Sequence, residues 1–177
     1  MIAGVKVGVL VFVAAIVQVS MLEPRAAIYG GTVDVLLVTL VCTALVRGSV
    51  TGAVAGFAGG LIVDISTLGT LGVTALLLTV AGYWAGRYGE TTGRDRPHAV
   101  PLAVAVITVL YAIGGLGLYY MLGTDVSAHR ALVTTLLPEL PLNILIAWPI
   151  SKLCRALFRP APPGGPVDRT HEVEIGV

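Results

Sequence analysis

Residues 47–64 read Arg47-Gly48-Ser49-Val50-Thr51-Gly52-Ala53-Val54-Ala55-Gly56-Phe57-Ala58-Gly59-Gly60-Leu61-Ile62-Val63-Asp64. One charge opens the stretch, one closes it, and the residues between carry none. Glycine stands at 48, 52, 56 and 60. A four-residue spacing puts these glycines on one face of a helix, drifting slowly around it. A face without side chains lets another helix come close, so that more atoms touch; this is how helices associate where lipid is as apolar as they are. Two uses of Gly48, Gly52, Gly56 and Gly60 follow. They pack a neighbouring helix of the same bundle, or they dock the transmembrane helix of a partner.

Outward from this stretch the whole chain has the same character. Of 177 residues, 56% are hydrophobic and 12% charged, with a mean hydropathy of +0.91. Soluble domains carry about 25% charged residues, so a water-soluble globule of this size is excluded, as is disorder. A net charge of +1 excludes nucleic-acid binding by bulk charge. The class left is an all-α integral membrane protein. Six apolar runs lie between the charged clusters: Val5 to Leu22, Val33 to Val46, Val50 to Val63, Leu71 to Ala85, Ala99 to Leu122, and Ala131 to Cys154. A spanning helix needs about 20 residues. Runs one, five and six suffice unaided; two, three and four need extension by Gly48, Gly86 and other small residues. Six spans is the reading, with four spans plus a re-entrant pair as its competitor.

Basic residues in short loops stay cytoplasmic. With six spans, Lys6, Arg47, Arg87, Arg94, Arg96, Lys152, Arg155, Arg159 and Arg169 share one side, and only Arg25 and Arg130 the other. Both termini are therefore expected in the cytoplasm. The first run exceeds the 7–15 residues or so of a signal-peptide core, so a retained first helix is expected. Tyr29, Tyr119 and Tyr120 mark outer ends of spans; Tyr83, Trp84 and Tyr88 mark an inner one. Arg87 to His98 reads as the longest cytoplasmic loop. The membrane domain covers 1–158. Residues 159–177, with Pro160-Ala161-Pro162-Pro163-Gly164-Gly165-Pro166, read as a disordered cytoplasmic tail.

A few polar residues interrupt the apolar runs. Asp64 ends the glycine-rich span, and its Asp-x-Ser context suits a carboxylate that accepts backbone amides and shapes a turn; that structural role is expected rather than proton transfer. Asp34 opens the second span. In the sixth, Pro138-Glu139-Leu140-Pro141-Leu142-Asn143 puts Glu139 and Asn143 four apart on one face. An ionisable residue within a span is costly and faces the bundle interior or a cavity. Two readings balance: a polar pocket or relay around a broken helix, and a kinked helix whose Glu is protonated or bonded to a neighbour. Cys42 and Cys154 fall inside apolar runs and read as small core residues. The sequence has no P-loop, no GxSxG, no HExxH and no Cys/His metal spacing. Enzyme activity, a cofactor and a metal are not expected.

The order Arg47-Gly48, glycine ladder, Phe57, Leu61, Asp64, Leu71-Gly72, and then Gly82-Tyr83-x-Ala85-Gly86-Arg87, resembles the bacterial rod shape-determining MreD family. Asp34-Val35-Leu36-Leu37 and a sixth span with Asn143 before a proline and a basic end resemble it too. The resemblance covers roughly residues 1 to 158. It implies a six-transmembrane-helix bundle similar to the substrate-binding subunit of energy-coupling-factor transporters. It also implies a non-catalytic scaffold in the bacterial cytoplasmic membrane, supporting peptidoglycan synthesis along the side wall. Implied partners are a MreC-like single-span protein, the actin-like MreB, RodA and a class B penicillin-binding protein. Glu139 with its flanking prolines has no place in that pattern. From another class, a small-solute-binding subunit of a transporter is kept alive by the shared fold. Few polar residues converge within the spans, which favours the scaffold.

Overall fold

The structure is a computed structural model that describes residues 2–22, 33–68, 70–92, 99–123 and 136–158. The expected tail 159–177, the three histidines, Arg25, Tyr29 and Arg130 lie outside the described residues. Among the described residues every regular element is a helix: α1 Ile2–Val17, α2 Val35–Arg47, α3 Ser49–Thr67, α4 Val73–Thr92, α5 Ala99–Met121 and α6 Leu137–Phe158. A wider helical turn, Gln18–Leu22, follows α1. Helices α3, α5 and α6 are long and apolar enough to cross a membrane.

The shortest helix is the most enclosed. Every residue of α2 from Leu36 to Leu45 is buried, and α1, α3, α4, α5 and α6 all pack on it. At 13 residues it is about 20 Å long, less than the hydrocarbon thickness of about 30 Å. Its neighbours, not lipid, surround it. Gly48, with φ +97°, joins α2 to α3 without a loop; this backbone region is open to glycine and costly for a residue with Cβ.

Two element bounds and the course of one helix differ from the sequence reading. Helix α3 runs four residues past Val63, so Asp64 sits inside its last turn rather than beyond it. Helix α4 continues through Arg87 to Thr92, which corrects the loop expected to start at Arg87. The charged end stays helical because Arg87 and Glu90 pair across one turn at 3.4 Å and Glu90 bonds Ser49. Finally, α6 is continuous through Pro141 and Pro149; the helix is not broken. Pro138 occupies the first turn, where its missing amide has no helical partner to lose.

Candidate functional site

Two groups of residues hold the polar and small side chains singled out by the sequence. The first is a polar cluster where α1, α2, α5 and α6 converge. Asp34 caps α2: its Oδ1 accepts the Leu37 amide at 2.8 Å. The Asp34 amide donates to Asn143 Oδ1 at 2.9 Å. The next amide, Val35, donates to Gln18 Oε1 at 3.0 Å, and the wide turn after α1 carries that glutamine. Asn143 is wholly buried. Its Nδ2 donates to Thr108 Oγ1 and to Glu139 Oε1, each at 3.4 Å.

A helix start leaves amides without helical partners, and a buried amide left unpaired is costly. The cluster answers that need for α2. Asn143, Gln18 and Asp34 each satisfy a different backbone amide, and Thr108 and Glu139 hold Asn143 in place. The structure thus brings together Asp34, Glu139 and Asn143. Gln18 and Thr108 were not singled out by the sequence: each is an uncharged polar residue within an apolar run, and their partners lie 17 and 35 positions away.

The second group is the seam between α3 and α4, where backbone meets backbone along the length of both helices. A Cβ on Gly52 would run into the Gly82 carbonyl, and one on Gly82 into the Gly52 carbonyl. Gly56 lies against the Leu78 carbonyl, Gly60 against the Ala75 backbone, and Gly86 against the Ser49 backbone. The ladder is therefore met by the backbone of α4 at Ala75, Leu78 and Gly82, and its face is filled from within the chain. Gly59, off that face, abuts Val11 of α1 and Leu36 of α2.

A carboxylate closes each end of the seam. Asp64 on α3 is buried and accepts the amides of Gly72, Thr74 and Ala75 at 2.8, 3.2 and 3.1 Å, capping α4. At the opposite end, Glu90 on α4 accepts the Ser49 amide and hydroxyl at 2.8 and 3.0 Å, capping α3. Gly48 lies directly against this carboxylate. The Ser49 bonds hold the Glu90 carboxyl below the usual glutamate range, with a smaller contribution from Arg87. Glu90 escaped the sequence reading because its partner is 41 residues away.

Cys42 and Cys154 are both free and buried at the α2–α6 seam, where Cys154 Sγ lies 3.6 Å from the Thr43 hydroxyl. Among the described residues no group of His, Cys, Asp and Glu is arranged to hold a metal. Against known proteins, the family model described as rod shape-determining protein MreD matches residues 2–160. No curated protein and no solved structure matches the chain.

Proposed function

The chain belongs to the MreD family of rod shape-determining proteins, and from that membership we propose that it is a non-catalytic membrane scaffold of the cell-elongation complex. The match over residues 2–160 carries the reading, because it takes in every helix of the bundle. In this role the protein binds a MreC-like single-span partner. It stands beside the MreB cytoskeleton, RodA and a class B penicillin-binding protein, and supports wall synthesis along the cell's side. The six helices are read as six spans of the cytoplasmic membrane with both termini inside, which the nine-to-two distribution of basic residues supports. The likeness to substrate-binding subunits of energy-coupling-factor transporters remains part of this reading.

The polar chemistry agrees with a scaffold. Asp34, Asn143 and Gln18 are spent on the start of α2, and Asp64 on the start of α4. With Gly52, Gly56 and Gly60 committed to α4, a partner helix is placed on another face. Affinity purification in mild detergent, with identification of co-purifying proteins, tests the reading. A single-span wall-synthesis protein is expected. Recovery of a pair of nucleotide-binding ATPases instead would overturn the scaffold in favour of the solute-binding subunit.

A further inference from the structure

The α3–α4 hairpin turns over at Leu68–Gly72, and its tip reverses the usual pattern of a loop in water. The apolar side chains point outward: Leu68 is 92% exposed, Leu71 68% and Ile65 58%. The hydroxyls at the end of α3, though exposed, are bonded to their own helix. Ser66 Oγ donates to the Ile62 carbonyl at 2.7 Å and Thr67 Oγ1 to the Val63 carbonyl at 3.0 Å. Asp64 is the one charged residue between Arg47 and Arg87, and three amides occupy it. Beside it the Val73 amide bonds the Thr70 carbonyl and the Leu76 amide bonds the Gly72 carbonyl. Leu68 itself is left-handed, at φ 52°, a conformation rare for a leucine. Backbone whose amides are satisfied internally is what a lipid environment demands.

Length points the same way. On α4, Arg87 marks the charged end, and from Arg87 back to Val73 is about 21 Å of helix at 1.5 Å per residue. The hydrocarbon layer is about 30 Å thick. Helix α3, with 19 residues, is about 28 Å long, so with Arg47 and Arg87 held at one surface the tip comes to the opposite boundary and no farther.

We propose that the α3–α4 tip is a lipid-binding element: Ile65, Leu68 and Leu71 are seated among phospholipid chains at the acyl–headgroup boundary of the far leaflet, and the turn does not emerge into water. Apolar side chains at that boundary sit about 5–10 Å into it. Both termini stay on one side whether or not the tip emerges, so the charge distribution is indifferent to it. The scaffold reading is equally independent of it.

The test places single cysteines in the full-length chain, in a Cys42→Ala, Cys154→Ala background: Leu68→Cys, Leu71→Cys, and Asp125→Cys as a reference in the α5–α6 connection. Each is labelled with bimane in vesicles of phosphatidylethanolamine and phosphatidylglycerol. At 68 and 71, quenching by lipids bearing a shallow acyl nitroxide is expected to exceed quenching by aqueous iodide, with the reverse at 125. In native membranes an impermeant maleimide is expected to react at 68 and 71 about tenfold more slowly than at 125, because the thiols lie below the headgroups. Should Leu68→Cys fail to fold, Leu71→Cys carries the measurement. Iodide-dominated quenching with maleimide rates equal to those at 125 would place the tip in water and overturn the proposal. Protection in native membranes that vanishes in vesicles of the purified protein would also overturn it, by showing that a protein covers the tip.

Discussion

Helix α4 has two seams, and they are built in opposite ways. Toward α3 it presents Ala75, Gly82 and Gly86, and the opposing helix offers glycines and serine in return, so carbonyl meets backbone directly. Toward α5 it presents Leu76, Leu77, Val80 and Trp84. There the helices stand apart around two apolar grooves of about 610 and 250 Å³ that share Trp84, Ile107 and Leu110. Glycine occurs on both seams. Gly114 and Gly115 of α5 both face the Leu77 side chain. A glycine draws helices together where backbone, rather than a side chain, stands opposite. Gly52 meets the Gly82 carbonyl and Gly56 the Leu78 carbonyl, whereas Gly114 meets the side chain of Leu77.

The sharpest way to break this contrast is to thicken the tight seam. Gly56→Leu or Gly82→Leu must push two backbones apart, and lipid gives no hydrophobic return for the lost contacts. Overpacking typically costs about 1–3 kcal/mol, occasionally more; here the upper end or beyond is expected, because backbone rather than side chain must move. Size-exclusion profile and membrane abundance report it, with loss of folded protein expected and Leu61→Ile unaffected. A partner lost from an otherwise folded Gly56→Leu protein would instead assign the ladder to docking.

Next in size is the cap at the hairpin turn. Asp64→Ala leaves two amides of α4 and that of Gly72 just before it with no side-chain acceptor. A loss of about 1–3 kcal/mol is expected for stranding buried donors, read as a lower thermal midpoint in detergent. A midpoint equal to the parent would show that water serves those amides as well as the carboxylate does.

The opposite end of the seam is exposed, and its effect is smaller and depends on pH. Bonding to Ser49 lowers the Glu90 carboxyl in the folded state. Its stabilisation is therefore fully present above the unfolded glutamate value of about 4.3 and is lost as pH falls through the lower, folded value. Thermal midpoints should drop over that acid window in the parent and drop less in Glu90→Gln. Parallel profiles for the two proteins would remove Glu90 from the account. Smallest of all is the change on the loose seam: a Cβ on Gly115 would meet only the Leu77 side chain, at 3.6 Å, and Gly115→Ala is expected to give no loss and a gain of at most about 1 kcal/mol from helix propensity. A large loss there would mean that the α4–α5 grooves close in the membrane.

The same contrast shows what could be read from the sequence. The four-residue glycine spacing identified a close-packing face, and Asp64 in its Asp-x-Ser setting identified a capped turn, because both signals are local. The spacing could not choose between an internal and an external occupant. That depended on Gly82 and Gly86, which lie in a run broken by Tyr83, Trp84 and Arg87 and do not form a regular ladder. Arg87 to Thr92 looked like a loop for its charge and glycine content, yet tertiary bonds from Glu90 keep it helical. The polar cluster was half visible. Asp34, Glu139 and Asn143 stood out as polar residues within or at the edge of apolar runs. Their common purpose, the start of α2, required knowing that Gln18 and Thr108 arrive at the same place. The prolines around Glu139 suggested a broken helix, whereas one sits in the first turn and α6 runs continuously through the others.

The capping of α2 also has a bearing on how the protein is made. Its first amides are satisfied by Gln18, already synthesised when α2 leaves the ribosome, and by Asn143, which lies about a hundred residues later in the chain. A helix of some 20 Å with an unpaired polar end is poorly suited to wait alone in the bilayer. Insertion of the first five helices therefore leaves the centre of the bundle unfinished, and the arrival of the sixth completes it. A ribosome-bound chain truncated before Asn143 should hold α2 loosely, open to crosslinking by the insertion machinery, and release it only when the last helix has been translated.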